Sequence, residues 1–167
     1  MPTNGLKFQD QHLVNAAEGW LELGVPTEAA RELRLLSPAA LVHFRVLDIR
    51  WRIHASSHQW DLALEVARLF ISLVPNDPMG WIHQSYTLHE LKQTSEALLL
   101  LEPLADRFPD TDLIPYNLAC YACQLGDLLG AQSWLERAAK KNGFRPLKQM
   151  ALEDPDLRPL WEFIKQL

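Results

Sequence analysis

Small and apolar residues recur along this chain at a fixed distance that is longer than any helix or strand period. One alanine in each of four segments stands 34 residues after the previous one, at Ala29, Ala63, Ala97 and Ala131. Apolar residues follow four and seven positions later, at Leu33, Ala67, Leu101 and Leu135 and at Leu36, Phe70, Leu104 and Ala138. Positions spaced by three and four residues share one helical face. The pattern predicts a 34-residue internal repeat containing an amphipathic helix.

Capping residues predict where several helices begin. A polar side chain precedes a proline at Ser37 and again at Asp77, and proline suits the first turn of a helix. A helix is therefore expected to start after each. Thr27 and Thr94 are expected to cap the second helices of their repeats.

Pro103 lies inside an otherwise helical run, which predicts a kink or early fraying there. No stretch shows the strict alternation expected of a half-buried strand. The predicted fold class is therefore all-α.

A period of 34 residues, with a small residue opening the second of two helices, resembles the tetratricopeptide repeat (TPR) family. Trp81 occupies the family's tryptophan position in the third repeat. In the fourth repeat, Leu118-Ala119 matches the family's pair of a leucine and a small residue, and Gly126-Asp127 matches its inter-helix turn. In the first repeat, Leu23-Gly24 occupies that turn. The second repeat departs from the pattern, because Trp51 replaces a small residue and His58 replaces the turn glycine. The resemblance implies a right-handed helical solenoid of about four helix pairs with a C-terminal capping helix.

The predicted organisation has three parts. An N-terminal extension (1–9) precedes the repeats (10–143), and a capping segment (144–167) follows them. The expected repeats are 10–41, 42–75, 76–109 and 110–143.

The capping segment is expected to contain a final helix capped by Asp156. Its apolar residues fall at helical spacing: Leu157, Leu160, Trp161, Ile164 and Leu167. Terminal repeats need such a helix because their last apolar face has no neighbour. The run ALEDPDLRPLW also resembles the C-terminal ends of bacterial repeat arrays.

The resemblance implies that the first helix of each repeat lines a concave protein-binding groove. The candidate groove residues are Asn15, Glu18, Glu22, Arg45, Asp48, Arg52, His83, Tyr86, His89, Tyr116, Asn117 and Cys120. Arginine and tyrosine are enriched where binding energy concentrates. A structural interpretation competes with this one: Asp48 can pair with Arg45 and Arg52 along its own helix. The tyrosines can likewise pack between neighbouring helices.

Some family members clamp a peptide's terminal carboxylate with lysines, asparagines and an arginine. The matching positions here hold Val14, Glu18, Met79 and His83, so binding of acidic chaperone tails is not expected.

Composition narrows the functional classes. Of the 167 residues 48% are hydrophobic and 22% are charged, as in an ordinary soluble protein, and no apolar run suffices for a membrane span. The net charge of -5 and a pI near 5.6 disfavour nucleic acid as a partner. The two cysteines are too few for a disulfide framework. We expect a cytoplasmic protein without a membrane partner.

Candidate chemistry is sparse. Cys120 and Cys123 stand three residues apart on an expected helix, without the second ligand pair of a strong zinc site. A redox C-x-x-C would open a helix after a strand. The histidines are dispersed, and no nucleophile elbow or phosphate-binding glycine loop occurs. We expect no catalytic residue, no metal and no cofactor.

The sequence therefore favours a non-catalytic scaffold that binds a peptide or helix of another protein in its groove. The main alternative is a small bacterial secretion chaperone for a client protein. A metal or redox sensor using Cys120 and Cys123 is a third interpretation. Self-association into a homo-oligomer through the terminal helix, residues 156–167, is a further one.

Overall fold

Helices joined by short turns make up the chain in a computed structural model that describes residues 5–142 and 145–166. The α-helices are α1 Phe8–Glu22, α2 Pro26–Leu33, α3 Phe44–Ser56, α4 Trp60–Leu73, α5 Pro78–Glu90, α6 Thr94–Leu101, α7 Leu104–Arg107, α8 Leu113–Gln124, α9 Leu128–Asn142, α10 Arg145–Glu153 and α11 Trp161–Gln166. Short 3₁₀ helices span Ala40–Val42 and Pro155–Leu160. The described part contains no strand, as expected for the all-α class.

The chain forms two units, Met1–Gln84 and Ser85–Leu167. In the first unit α1 packs on α2, α3 packs on α4, and both α1 and α2 contact α3. In the second unit α8 packs on α9 and on α6, and the 3₁₀ helix Pro155–Leu160 packs on α8. Helices α10 and α11 contact that 3₁₀ helix and each other.

The alanine of each predicted repeat lies in the core. Ala29, Ala63, Ala97 and Ala131 are all fully buried. A side chain of one methyl group lets a second helix approach its first helix closely, which is why the position stays small. The apolar residues that follow each alanine are buried too: Leu33, Ala67, Leu101, Leu135, Leu36, Phe70, Leu104 and Ala138.

The backbone repeats with the same period. The turn between the two helices of each pair contains one residue with positive φ, at Gly24, His58, Lys92 and Gly126, again 34 residues apart. The following amide donates to the carbonyl five residues earlier, as in Gln93 N to Leu88 O at 2.9 Å. This is the Schellman motif that ends a helix with a left-handed residue. A histidine and a lysine thus adopt the conformation that the first and last turns give to glycine.

Two of the predicted helix boundaries agree with the structure. The backbone N–H of Met79 donates to the Asp77 carboxylate at 2.8 Å, and α5 begins at Pro78. Pro103 interrupts its run, since α6 ends at Leu101 and α7 begins at Leu104.

Other cap predictions are wrong. No α-helix starts after Ser37; α3 begins at Phe44, where the His43 ring nitrogen accepts from Arg45 N at 3.3 Å. Neither Thr27 nor Thr94 is an N-cap, because the Schellman turn leads straight into the helix and places each threonine inside it.

The cap predicted at Asp156 is also wrong. Asp154 is the N-cap, and it accepts from Asp156 N at 2.9 Å at the start of Pro155–Leu160. The segment is therefore a 3₁₀ helix followed by α11. Leu157, Leu160 and Ile164 are buried as expected, whereas Leu167 lies outside the described residues.

Ser37 is instead tied to α1. The buried Asp10 carboxylate accepts from Ser37 N at 2.9 Å and from Ser37 Oγ at 2.8 Å. These hydrogen bonds favour the charged form and hold the pKa of Asp10 below its ordinary 3.8.

We expect Lys92→Gly to raise the free energy of unfolding by about 1 kcal/mol, because glycine has no Cβ to strain at positive φ. Chemical denaturation measures the change. Gln93→Gly is the control, since Gln93 has a φ of -103° and glycine there only adds unfolded-state entropy. A Lys92→Gly protein no more stable than the parent would contradict the strain at this turn.

We expect Asp10→Asn to lower the melting temperature at pH 7, because the amide keeps only weaker hydrogen bonds to Ser37. The folded-state pKa of Asp10 is depressed, so its charge stabilises fully above pH 3.8 and the contribution fades as pH falls through the folded pKa. The melting temperatures of parent and variant should therefore begin to converge below about pH 3.8 and meet once the pH lies below the folded-state pKa. Asp61→Asn, at an exposed site on α4, is the control. A difference that is constant from pH 7 to pH 3 would contradict the linkage.

Candidate protein-binding surface

A cross-helix ion pair joins the first helices of the first two repeats. Arg45 on α3 donates from Nε and Nη2 to the two carboxylate oxygens of Glu18 on α1, at 3.0 and 2.6 Å. The same Nη2 donates to Asn15 Oδ1 at 2.9 Å. The expected pairing of Arg45 with Asp48 along its own helix is wrong, because Arg45 reaches across to the Glu18 carboxylate while the Asp48 oxygens contact His83 and Arg52.

Asp48 instead faces the third repeat's first helix. Its Oδ1 lies 2.8 Å from His83 Nε2, and its Oδ2 lies 3.7 Å from Arg52, the intrahelical pair that the sequence predicted. The His83 ring stacks on Trp51 with centroids 3.8 Å apart and planes 8° apart. His83 is thereby buried, whereas the side chain of Arg52 is 39% exposed. Packing against Trp51 fixes His83 in this place.

The remaining first-unit candidates lie at the surface. Asn15 also accepts from Gln11 at 2.8 Å, and Glu22 is exposed at the end of α1. The structure therefore brings Asn15, Glu18 and Arg45 into one group and Asp48, Arg52 and His83 into another.

Several candidates of the second unit contact the C-terminal segment, residues 154–160. Tyr116 donates its hydroxyl proton to Asp154 Oδ2 at 2.8 Å, and Cys120 Sγ lies 3.6 Å from the same oxygen. His89 Nε2 lies 2.8 Å from Asp156 Oδ2. The chain itself thus covers this face.

Sequence reasoning missed the role of Asp154 and of Gln124, whose amide donates to Asp156 O at 3.0 Å. Nothing in a linear sequence indicates which helix the run ALEDPDLRPLW, which contains Asp154, contacts. Asn117 donates to Leu113 O within its own helix. A cavity of about 270 Å³ remains beside the segment, lined among others by Tyr86, Asn117 and Met150.

Burial governs the titratable groups around this segment. It raises the pKa of Tyr116 and of Cys120, and the negative charge of Asp154 raises both further. Burial also raises the pKa of Cys123 and of Tyr86. Both cysteines are free and stay thiols at neutral pH, which weakens them as nucleophiles or metal ligands.

The described residues contain no group of three or more histidine, cysteine or acidic side chains that could hold a metal ion. Over the same residues, no helix is both long and apolar enough to cross a membrane.

The helix pairs, their buried alanines and their periodic turns define an all-α helical repeat fold of the TPR type. Solved structures of MamA share it. MamA from residue 41 to its end, from Desulfovibrio magneticus RS-1, has a TM-score of 0.67 and 19% sequence identity, covering 97% of this chain and 94% of that one. The MamA RS-1 ArsTM double mutant has a TM-score of 0.65 and 20% identity, covering 95% and 92%. At these identities the likeness shows the fold alone.

No protein-family model matches the sequence, and no curated protein matches it.

We expect a double-mutant cycle of Glu18→Gln and Arg45→Gln to give a coupling free energy of about 1 kcal/mol, because the pair is bidentate and about a quarter to a third exposed. Urea denaturation of the parent, both single variants and the double variant measures it. The same cycle on the exposed pair of Glu28 and Arg31 should give a smaller coupling. Equal couplings would show that the cross-helix geometry adds nothing.

Proposed function

We propose that this chain is a non-catalytic protein-interaction domain that binds a peptide or helix of another protein through the first-helix face of its first unit. The observation that carries the proposal is the cross-helix group of Asn15, Glu18 and Arg45 with the neighbouring Asp48 and Arg52, on a helical repeat fold.

The charges on this face are held in place and are still within reach of a ligand. The side chains of Arg45 and Glu18 are 26% and 31% exposed, and that of Arg52 is more exposed. A side chain already fixed by a bidentate pair loses less conformational freedom when a ligand binds. Arginine is also the cation best suited to a partner's carboxylate or aromatic ring.

The two thiols are consistent with this role. Cys120 and Cys123 are buried on α8, and their raised pKa values disfavour a redox or nucleophilic function. We place the domain in a reducing compartment such as the cytoplasm, where these cysteines remain unpaired.

The test is a pull-down from the lysate of the native host with the parent and with Arg52→Glu, followed by mass spectrometry. Reversing this charge should reduce capture of the specific partner about tenfold or more, since it replaces an attraction with a repulsion. Arg68→Glu makes the same charge change at an exposed site on α4 and should capture as much as the parent.

Circular dichroism establishes that both variants are folded. If Arg52→Glu and Arg68→Glu capture the same proteins at the same level, the first-helix face of the first unit is not the binding surface.

A further inference from the structure

The C-terminal segment contacts the first helices of the second unit through its side chains and its backbone, as a bound peptide would. Two aspartates two residues apart each meet a different helix: Asp154 accepts from Tyr116 on α8, and Asp156 pairs with His89 on α5. Gln124 donates to the backbone carbonyl of Asp156. Side chains of α5 and α8 thus bind both the carboxylates and the main chain of this short acidic segment.

The groups that contact these carboxylates from α5 and α8 can all donate a proton. They are the phenol of Tyr116, the imidazole of His89 and the thiol of Cys120. His89 is fixed from its other side, because its Nδ1 lies 3.0 Å from Thr94 Oγ1. Such an arrangement selects negatively charged groups.

An apolar residue anchors the segment directly after the second aspartate. Leu157 is fully buried and Leu160 is 3% exposed. The recognised pattern is therefore aspartate, any residue, aspartate, leucine. The cavity beside Tyr86 and Asn117 leaves part of this face unfilled.

We propose that the face of α5 and α8 formed by His89, Tyr116 and Gln124 is a binding site for an acidic protein segment of the pattern Asp-x-Asp-Leu. The chain's own Asp154–Leu157 is its resident occupant. The inference rests on the proposed function and names a second, self-occupied site. An intramolecular occupant acts at millimolar effective concentration, so an external segment binds only after the internal one is weakened. The site is a regulated one.

The test uses full-length protein and a fluorescein-labelled peptide copying residues 151–162. The double variant Asp154→Asn with Asp156→Asn weakens the resident segment and leaves the receptor side chains intact. Fluorescence anisotropy should show the peptide binding this variant at least about tenfold tighter than the parent, since two charge-assisted hydrogen bonds favour the peptide. A peptide with both aspartates changed to asparagine should bind neither protein.

A second measurement reports whether the segment leaves its site. In a Cys123→Ser background the thiol of Cys120, which is 4% exposed, reacts with a maleimide only when the segment moves away. The double variant should be labelled about tenfold faster than its parent, and the peptide should restore protection. Tyr116→Phe, which removes one hydroxyl, should also speed labelling and serves if the double variant does not fold.

Three results would overturn the proposal. Unchanged labelling in the double variant, or in Tyr116→Phe, would mean that the carboxylates do not hold the segment and that it is ordinary core. Faster labelling without peptide binding would mean that the face does not accept a segment in trans. A parent dimer, seen by sedimentation and lost in the double variant, would overturn the partner from another protein and make a second copy of this chain the occupant.

Failure here is distinguishable from failure of the proposed function. The pull-down depends on Arg52 in the first unit, whereas the peptide assay depends on Tyr116 and His89 in the second. Either assay can succeed without the other.

Discussion

The close approach of two helices around one buried alanine is the constraint on which the rest of this fold depends. Each alanine is fully buried five residues after a left-handed turn residue, as Ala29 is after Gly24. The turn sets the direction of the second helix, and the alanine sets its distance from the first. Together they fix which face of the first helix is used for packing and which remains for polar contacts. The positive φ of His58 and Lys92 strains the backbone locally, and the surrounding packing holds these residues in that conformation.

The sequence predicted what is periodic and local. The 34-residue spacing of the alanines is visible in the sequence itself. The helix pairs and the buried apolar face of each second helix could therefore be predicted from it. The cap predictions at Thr27 and Thr94 failed because the left-handed turn already determines where the next helix begins. The prediction at Ser37 failed because its hydroxyl donates to Asp10 on α1, and α3 begins only at Phe44.

Long-range polar contacts could not be predicted. Asp10 and Ser37 are 27 residues apart, and His89 and Asp156 are 67 apart, with no repeated signal linking the members of either pair. The same holds for Arg45: helical spacing suggested a pairing with Asp48 that does not form, and gave no sign of the actual partner, Glu18 on α1. Helical spacing shows which residues of one helix are neighbours, but contacts between helices depend on packing angles and rotamers that a single sequence does not encode locally.

The two units make different use of their first helices. Residues 114 to 123 of α8 are buried except for Asn117, because α9 packs on one side of the helix and the C-terminal segment packs on another. That coverage explains why α8 carries cysteines, tyrosines and alanines in place of charges. In the first unit α1 and α3 keep Glu18, Arg45 and Arg52 partly exposed, and ion pairs rather than a covering segment satisfy them. The face of the first unit is open to solvent, and its own ion pairs hold its side chains in place, which suits it to recognising a ligand. The face of the second unit is already filled by an acidic segment, and that segment indicates the chemistry of the ligand the face accepts.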